Sequence, residues 1–126
     1  MTDLQPHNLA GRNILIVEDE SLVAMLLETI LEDMGCTPVG PISNVDEALA
    51  LLAGDVALDG ALLDVNVAGR EVFPVAAALK ALGVPFVFST GYGEGGLPDE
   101  WRGEAVIQKP FTEAAVRDAL DKVVGV

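Results

Sequence analysis

Polar residues able to do chemistry follow directly on apolar runs at four places in this chain. Glu18, Asp19 and Glu20 follow the run Asn13 to Val17, and Asp64 follows Ala61 to Leu63. Ser89 and Thr90 end the run that starts at Val84, and Lys109 with Pro110 follows Ala105 to Gln108. Carboxylates, a hydroxyl and an ammonium are therefore all on offer. Clustered carboxylates repel one another, and a hard divalent cation such as magnesium offsets that repulsion through oxygen ligands. A carboxylate beside such an ion can act as a nucleophile toward phosphorus. A lysine and a hydroxyl can then meet the charge on the transferred phosphoryl oxygens. The chemistry this set could perform is phosphoryl transfer onto Asp64. Each member also has a plain structural reading. Acids after a strand cap helices, lysines sit solvated on surfaces, and an aspartate can close a turn on its own backbone. Those readings leave unexplained why all four sit at strand ends.

The four positions share one edge only if the apolar runs are parallel strands, and the chain is patterned for that. Its 126 residues suit one domain, which at this length buries roughly two-thirds of its extended surface without disulfides or structural metal. With 51% hydrophobic and 21% charged residues it is no disordered chain, and a parallel sheet covered by helices on both faces uses that much apolar content. Residues 1–12 read as a polar leader and 13–126 as the domain. Val23, Leu26, Leu27, Ile30, Leu31 and Met34 recur at helical spacing opposite Glu28, Glu32 and Asp33, and Gly35 follows at the expected helix end. Thr37 to Gly40 is a weak strand. Asn44 and Glu47 make a capping box for a helix burying Val45, Ala48, Leu49 and Leu52. Pro74 starts a helix through Leu82 that Gly83 ends. Gly91 to Gly103 reads as a loop with at most a short helix. Thr112 caps a last helix burying Val116, Ala119, Leu120 and Val123. Five strands alternating with helices predict an α/β fold, a doubly wound five-stranded parallel sheet of flavodoxin-like order 2-1-3-4-5. Ligands bind such sheets beyond the carboxyl ends of the strands.

Composition excludes several functions. Twenty acids against seven bases give a formal charge of −13, which phosphate backbones would repel, so no direct nucleic-acid binding is expected. The longest apolar run, Val72 to Leu79, is too short to span a membrane and contains Pro74. The first dozen residues lack the pattern of a signal peptide. Cys36 is the only cysteine, so no internal disulfide forms, a small buried hydrophobe is expected there, and a cytoplasmic location is favoured. The only histidine, His7, lies in the leader, which removes histidine metal clusters and Ser-His-Asp triads from consideration.

The chain resembles the receiver domain of two-component response regulators over about residues 12 to 125. The carrying motifs are ILIVEDE (Ile14 to Glu20), ALLDVNVAG (Ala61 to Gly69), FVFSTGY (Phe86 to Tyr92) and QKPF (Gln108 to Phe111). The resemblance implies that Asp64 accepts the phosphoryl group, taken from a histidine kinase or phosphotransfer protein. It implies that Asp19 binds magnesium directly, that Glu18 acts mainly through water, and that the Asn66 carbonyl is a further ligand. Thr90 and Lys109 would hold the phosphoryl group, and the Lys109–Pro110 peptide would be cis. Two positions depart from the common pattern. Ala68 stands where relatives often carry proline, and Val106 stands where most carry an aromatic switch residue. These departures and the FSTGY sequence look like the FATGUY subgroup, often stand-alone and often paired with kinases of the HWE type. With no ring at Val106, the output is expected to pass through residues 90 to 103, with Tyr92 reporting the change.

Other readings fit less well. Gly91, Gly93 and Gly96 satisfy a dinucleotide fingerprint, but Pro98 interrupts the helix that should follow. A haloacid dehalogenase-like phosphatase would carry a second aspartate two residues after the first, where this chain has Asn66. A receiver excised from a hybrid histidine kinase would have the same motifs, and the initial Met and polar leader favour a free-standing protein. Oligomeric state is not legible.

Overall fold

The computed structural model describes residues 9–91 and 97–124. In chain order the elements are β1 (Asn13–Val17), α1 (Ser21–Asp33), β2 (Thr37–Ile42), α2 (Val45–Leu52), β3 (Gly60–Asp64), β4 (Asn66–Val67), β5 (Arg70–Glu71), α3 (Phe73–Ala81), β6 (Phe86–Thr90), β7 (Val106–Gln108) and α4 (Glu113–Val123). The main sheet is parallel with order β2-β1-β3-β6-β7, which is the expected doubly wound topology once the small hairpin β4-β5 is set aside. Continuous apolar strands are buried because helices cover both faces. Leu15, Val17, Leu63 and Phe88 pack toward α2 and α3, against Val45, Ala48, Val75 and Leu79. Ile14, Ile16, Leu62 and Val87 pack toward α1 and α4, against Leu27, Leu31, Val116 and Leu120.

Register decides where the chemistry falls. Val17 pairs with Leu63, Asp64 with Ser89, and Thr90 with Gln108. The carboxyl ends of β1, β3, β6 and β7 therefore finish level, and the polar residue after each is delivered to one edge. The helix caps hold that edge in place. Asn44 Oδ1 accepts from the Glu47 N–H at 2.8 Å, and Thr112 Oγ1 accepts from the Ala115 N–H at 3.1 Å, as the sequence predicts.

Several details refine the sequence expectations, and two, the start of the packed chain and the side Leu26 faces, correct them. The packed chain begins before residue 13: Leu9 is fully buried among Ile14, Leu31 and Cys36, and the Gly11 N–H donates to the Gly35 carbonyl at 2.8 Å. Cys36 is buried, its Sγ is 3.3 Å from the Leu9 carbonyl, and burial pushes its thiol pKa up, so it is a packing residue. Leu26 does not face the core. It lies on an exposed face of α1 with Leu22 and Met25, while Ala24, Leu27, Ile30 and Leu31 fill the buried one. After the fourth large strand a 3-10 turn at Asp99–Trp101 buries Trp101 against Phe73, Phe86 and Phe88, with ring centroids 5.9–6.1 Å away.

The β4-β5 hairpin pairs Asn66 with Glu71 and Val67 with Arg70, leaving Ala68 and Gly69 as its turn. Both turn residues have left-handed backbone, φ 50 at Ala68 and φ 82 at Gly69, as a two-residue primed turn requires. Proline is locked near φ −65, so this turn is closed to the residue that relatives often carry there. Ala68→Gly is expected to raise stability by about 0.5–1 kcal/mol, the left-handed strain less the added chain entropy of glycine. Ala68→Pro should lower it by more. Urea midpoints of the three proteins test this, and a proline variant as stable as the parent would contradict the turn assignment.

Candidate functional site

Lys109 is the centre of the site. Its Nζ lies 3.2 Å from Asp64 Oδ2, 3.3 Å from Glu18 Oε1 and 3.4 Å from Glu20 Oε1. Topology brings these together from three segments: the β1–α1 connection carries Glu18 and, at the N-cap position of α1, Glu20; Asp64 ends β3; and Lys109 follows β7. The Lys109–Pro110 peptide is cis. One oxygen from each of Glu18, Glu20 and Asp64 lies within 4.8 Å of the others. Three carboxylates on one ammonium leave a net negative site, and elementary electrostatics makes such a site attractive to a cation.

Glu18 is the tightly held member. It is 2% exposed, and its Oε2 accepts from the Glu20 N–H at 3.1 Å. Its Oε1 is in ion-pair range of Lys109 but accepts no hydrogen bond. Burial pushes the Glu18 pKa from 4.5 up to about 7; the Glu20 N–H opposes that rise, the Asp64 charge adds to it, and Lys109 opposes it. Burial works against the Lys109 ammonium, but the charges of Asp64 and Glu18 outweigh it and hold its pKa above the usual value. A buried carboxylate oxygen that accepts no hydrogen bond, beside two further carboxylates, is what a hard cation would satisfy. The residues present fit magnesium.

The expected site residues are not all brought in. Asp64 and Lys109 meet, and Glu18 joins them. Asp19 is exposed and its carboxylate is not part of the group of three; the neighbouring Glu20 is. Three consecutive acids are equivalent in sequence, and only the path of the chain into α1 decides which one turns inward. Asn66, the first residue of the hairpin, is exposed, and its N–H donates to Asp64 Oδ1 at 3.4 Å. Thr90 is buried at the end of β6, beside Gln108 of β7. Val106 is half-buried on the edge strand and lines a groove of about 650 Å³ between β7 and α4. Tyr92 lies outside the described residues.

No family model matches the chain. The phyllosphere-induced regulator PhyR of Methylorubrum extorquens is 33% identical to it over 112 residues, 86% of this chain. The chain spans 42% of the length of that curated relative. Among solved structures, SdrG from Sphingomonas melonis is 46% identical, with a TM-score of 0.77 over 90% of this chain and 94% of that one. The receiver domain of the PhyR response regulator from Erythrobacter litoralis is 28% identical, with a TM-score of 0.78 over 90% of this chain and 89% of that one. A further SdrG structure, described as the conformation activated by BeF3, is 48% identical, with a TM-score of 0.75 over 88% of this chain and 94% of that one. No helix of the described residues is long and apolar enough to cross a membrane.

Proposed function

The chain belongs to the receiver domains of response regulators, and on that premise we propose that it takes a phosphoryl group from a histidine kinase or phosphotransfer protein onto Asp64. The observation that carries this reading is the Lys109 ammonium 3.2 Å from an Asp64 carboxylate that ends a central strand. An Asp64 oxygen forms the new bond to phosphorus as the bond from phosphorus to the donor's atom breaks. Lys109 meets the charge on the phosphoryl oxygens, and the Thr90 hydroxyl supplies a further donor. The acceptor is modified once and then waits for hydrolysis or a partner, so it acts as a switch and not as a turnover enzyme.

Glu18 and Asp64 would hold magnesium, together with the Asn66 carbonyl that the resemblance implies. Bound there, the ion neutralises charge on the carboxylates and on the incoming phosphoryl group. The third acid is Asp19 by resemblance and Glu20 by placement in this structure. Magnesium at ten times its dissociation constant should stabilise the fold by about 1.4 kcal/mol if only the native state binds it. Thermal melts should show that increment lost in Glu18→Gln, and of Asp19→Asn and Glu20→Gln the one that loses more identifies the third ligand. An increment that survives in all three would remove the metal from this cleft.

Acetyl phosphate with magnesium tests the acceptor reading directly. Intact-mass spectrometry should show one added phosphoryl group, and peptide mapping should place it on Asp64. A label on another carboxylate, or one formed equally well without magnesium, would overturn it.

A further inference from the structure

Two buried side-chain oxygens make no hydrogen bond among the described residues: Glu18 Oε1, in the acid cluster, and Ser89 Oγ. Ser89 is 2% exposed, near the end of β6. A buried hydroxyl without a partner costs the fold free energy, and an alanine would occupy the position without that cost. The strand needs no hydroxyl for its packing, since Val87 and Phe88 before it are buried apolar residues.

Register places that hydroxyl beside the acceptor. Ser89 pairs with Asp64 on one side and with Ile107 on the other. Neighbouring strands lie about 4.8 Å apart, so paired residues on one face have side chains within reach of each other. The face is the same for all the groups concerned. Ile16, Leu62, Val87 and Ile107 pack toward α1 and α4, and Glu18, Asp64, Ser89 and Lys109 each follow two residues later. The ladder still holds at that level, where the Lys109 N–H donates to the Thr90 carbonyl at 2.9 Å. Lys109 crosses the end of β6 to put its ammonium on Asp64, because β6 lies between β7 and β3. Thr90 alternates to the other face, so the hydroxyl on the Asp64 side is that of Ser89.

From that placement we propose that the Ser89 hydroxyl donates to the Asp64 carboxylate as the phosphoryl group leaves it, and so sets how long the phosphorylated form lasts. A hydroxyl hydrogen rotates to suit its partner. In hydrolysis a water oxygen bonds to phosphorus while the bond from phosphorus to the Asp64 oxygen breaks. The bonding pair returns to the carboxylate, and the water's proton leaves with inorganic phosphate. Negative charge builds on Asp64 only as that bond breaks, so a donor aimed at it favours the transition state over the acyl phosphate. The inference rests on Asp64 being the acceptor and adds a residue that governs the lifetime of its phosphorylated form.

The test is the lifetime of the label. Parent, Ser89→Ala, Ser89→Cys and Ser89→Thr are charged with acetyl phosphate and magnesium, freed of the donor by desalting, and returned to magnesium buffer. Intact-mass spectrometry then follows loss of the phosphoryl group. All four should accept one group. The alanine variant should keep it about tenfold longer than the parent, as loss of one hydrogen bond to a charged group implies. Cysteine matches serine in size but is a weak donor, so its lifetime should follow alanine. Threonine retains the hydroxyl and should restore the parental lifetime. Urea midpoints separate this from a packing effect, because alanine should fold at least as stably as the parent. A lifetime in Ser89→Ala equal to or shorter than the parent's would overturn the inference. So would a cysteine variant that decays like the parent, because size and not hydrogen bonding would then set the rate. Failure of the acceptor reading looks different: acetyl phosphate and magnesium would leave the parent itself unlabelled.

Discussion

Without divalent metal, the protein is expected to lose about 3 kcal/mol of stability as the pH rises from 4.5 to 7, and Glu18→Gln is expected to abolish that loss. The Glu18 carboxyl has its pKa raised from 4.5 to about 7 in the fold, chiefly by burial. Below the lower value both the folded and the unfolded chain carry the proton. Between the two values the unfolded chain releases it while the folded chain retains it, so each rise in pH favours unfolding. Above the upper value the folded state carries a buried charge that the Glu20 N–H and the Lys109 ammonium offset only in part, and the full cost is present. At 1.36 kcal/mol for each unit, a rise of this size amounts to about 3 kcal/mol. The sign is opposite to that of a salt-bridged carboxylate, which gains stability over the same range. Glutamine has the shape of the protonated acid and does not titrate, so the variant should show a flat profile through this window. Urea unfolding in the presence of a chelator, run at intervals from pH 4.5 to 7.5, measures the slope. A parent whose stability rises across the window would mean that Lys109 fully compensates Glu18.

The strand ends of the site are readable in the sequence because they follow from period and topology alone. Apolar runs covered on both faces must end in a polar residue at the sheet edge, and right-handed crossovers put those edges on one side. Asp64, Thr90 and Lys109 fall out of that logic, and the register of β3, β6 and β7 delivers them level. What lies between elements is not readable in the same way. Glu18, Asp19 and Glu20 are three acids in a row, and the entry of the chain into α1 buries the first and turns the third toward Lys109. The β4-β5 hairpin has strands of two residues, too short to show any alternation. Leu26 has helical spacing with the core positions, but α1 is apolar over a wider arc than its packing needs. Periodicity identifies an apolar face without saying whether the molecule covers it with itself or with a partner. Leu9 fails for a related reason: one leucine in a polar stretch carries no period, yet it fills a gap beside Cys36.

Asp64→Asn is expected to remove phosphoryl uptake completely while leaving the metal-free protein more stable than its parent at neutral pH. Asparagine has nearly the same shape, so the end of β3 and its pairing with Ser89 should persist. Its amide is no nucleophile toward phosphorus at this position, and no other carboxylate of the cluster ends a strand of the central sheet. Glu18 follows β1 with one oxygen bound to the Glu20 N–H, and Glu20 stands at the mouth of the site at the start of α1. Neither should substitute as acceptor. The gain in stability has a separate cause. The Asp64 charge raises the Glu18 pKa, and removing it lets the buried Glu18 ionise at lower cost. One ammonium then faces two carboxylates where it faced three. Lys109 should titrate closer to its ordinary range in the variant, because the Asp64 charge is the strongest influence raising it. Intact-mass spectrometry after acetyl phosphate and magnesium reads the first effect, and urea unfolding in chelator at pH 7.5 reads the second. Residual labelling would move the acceptor to another residue. A variant that is unlabelled but less stable than its parent would mean that the Lys109 contact to Asp64 outweighs the repulsion among the three acids.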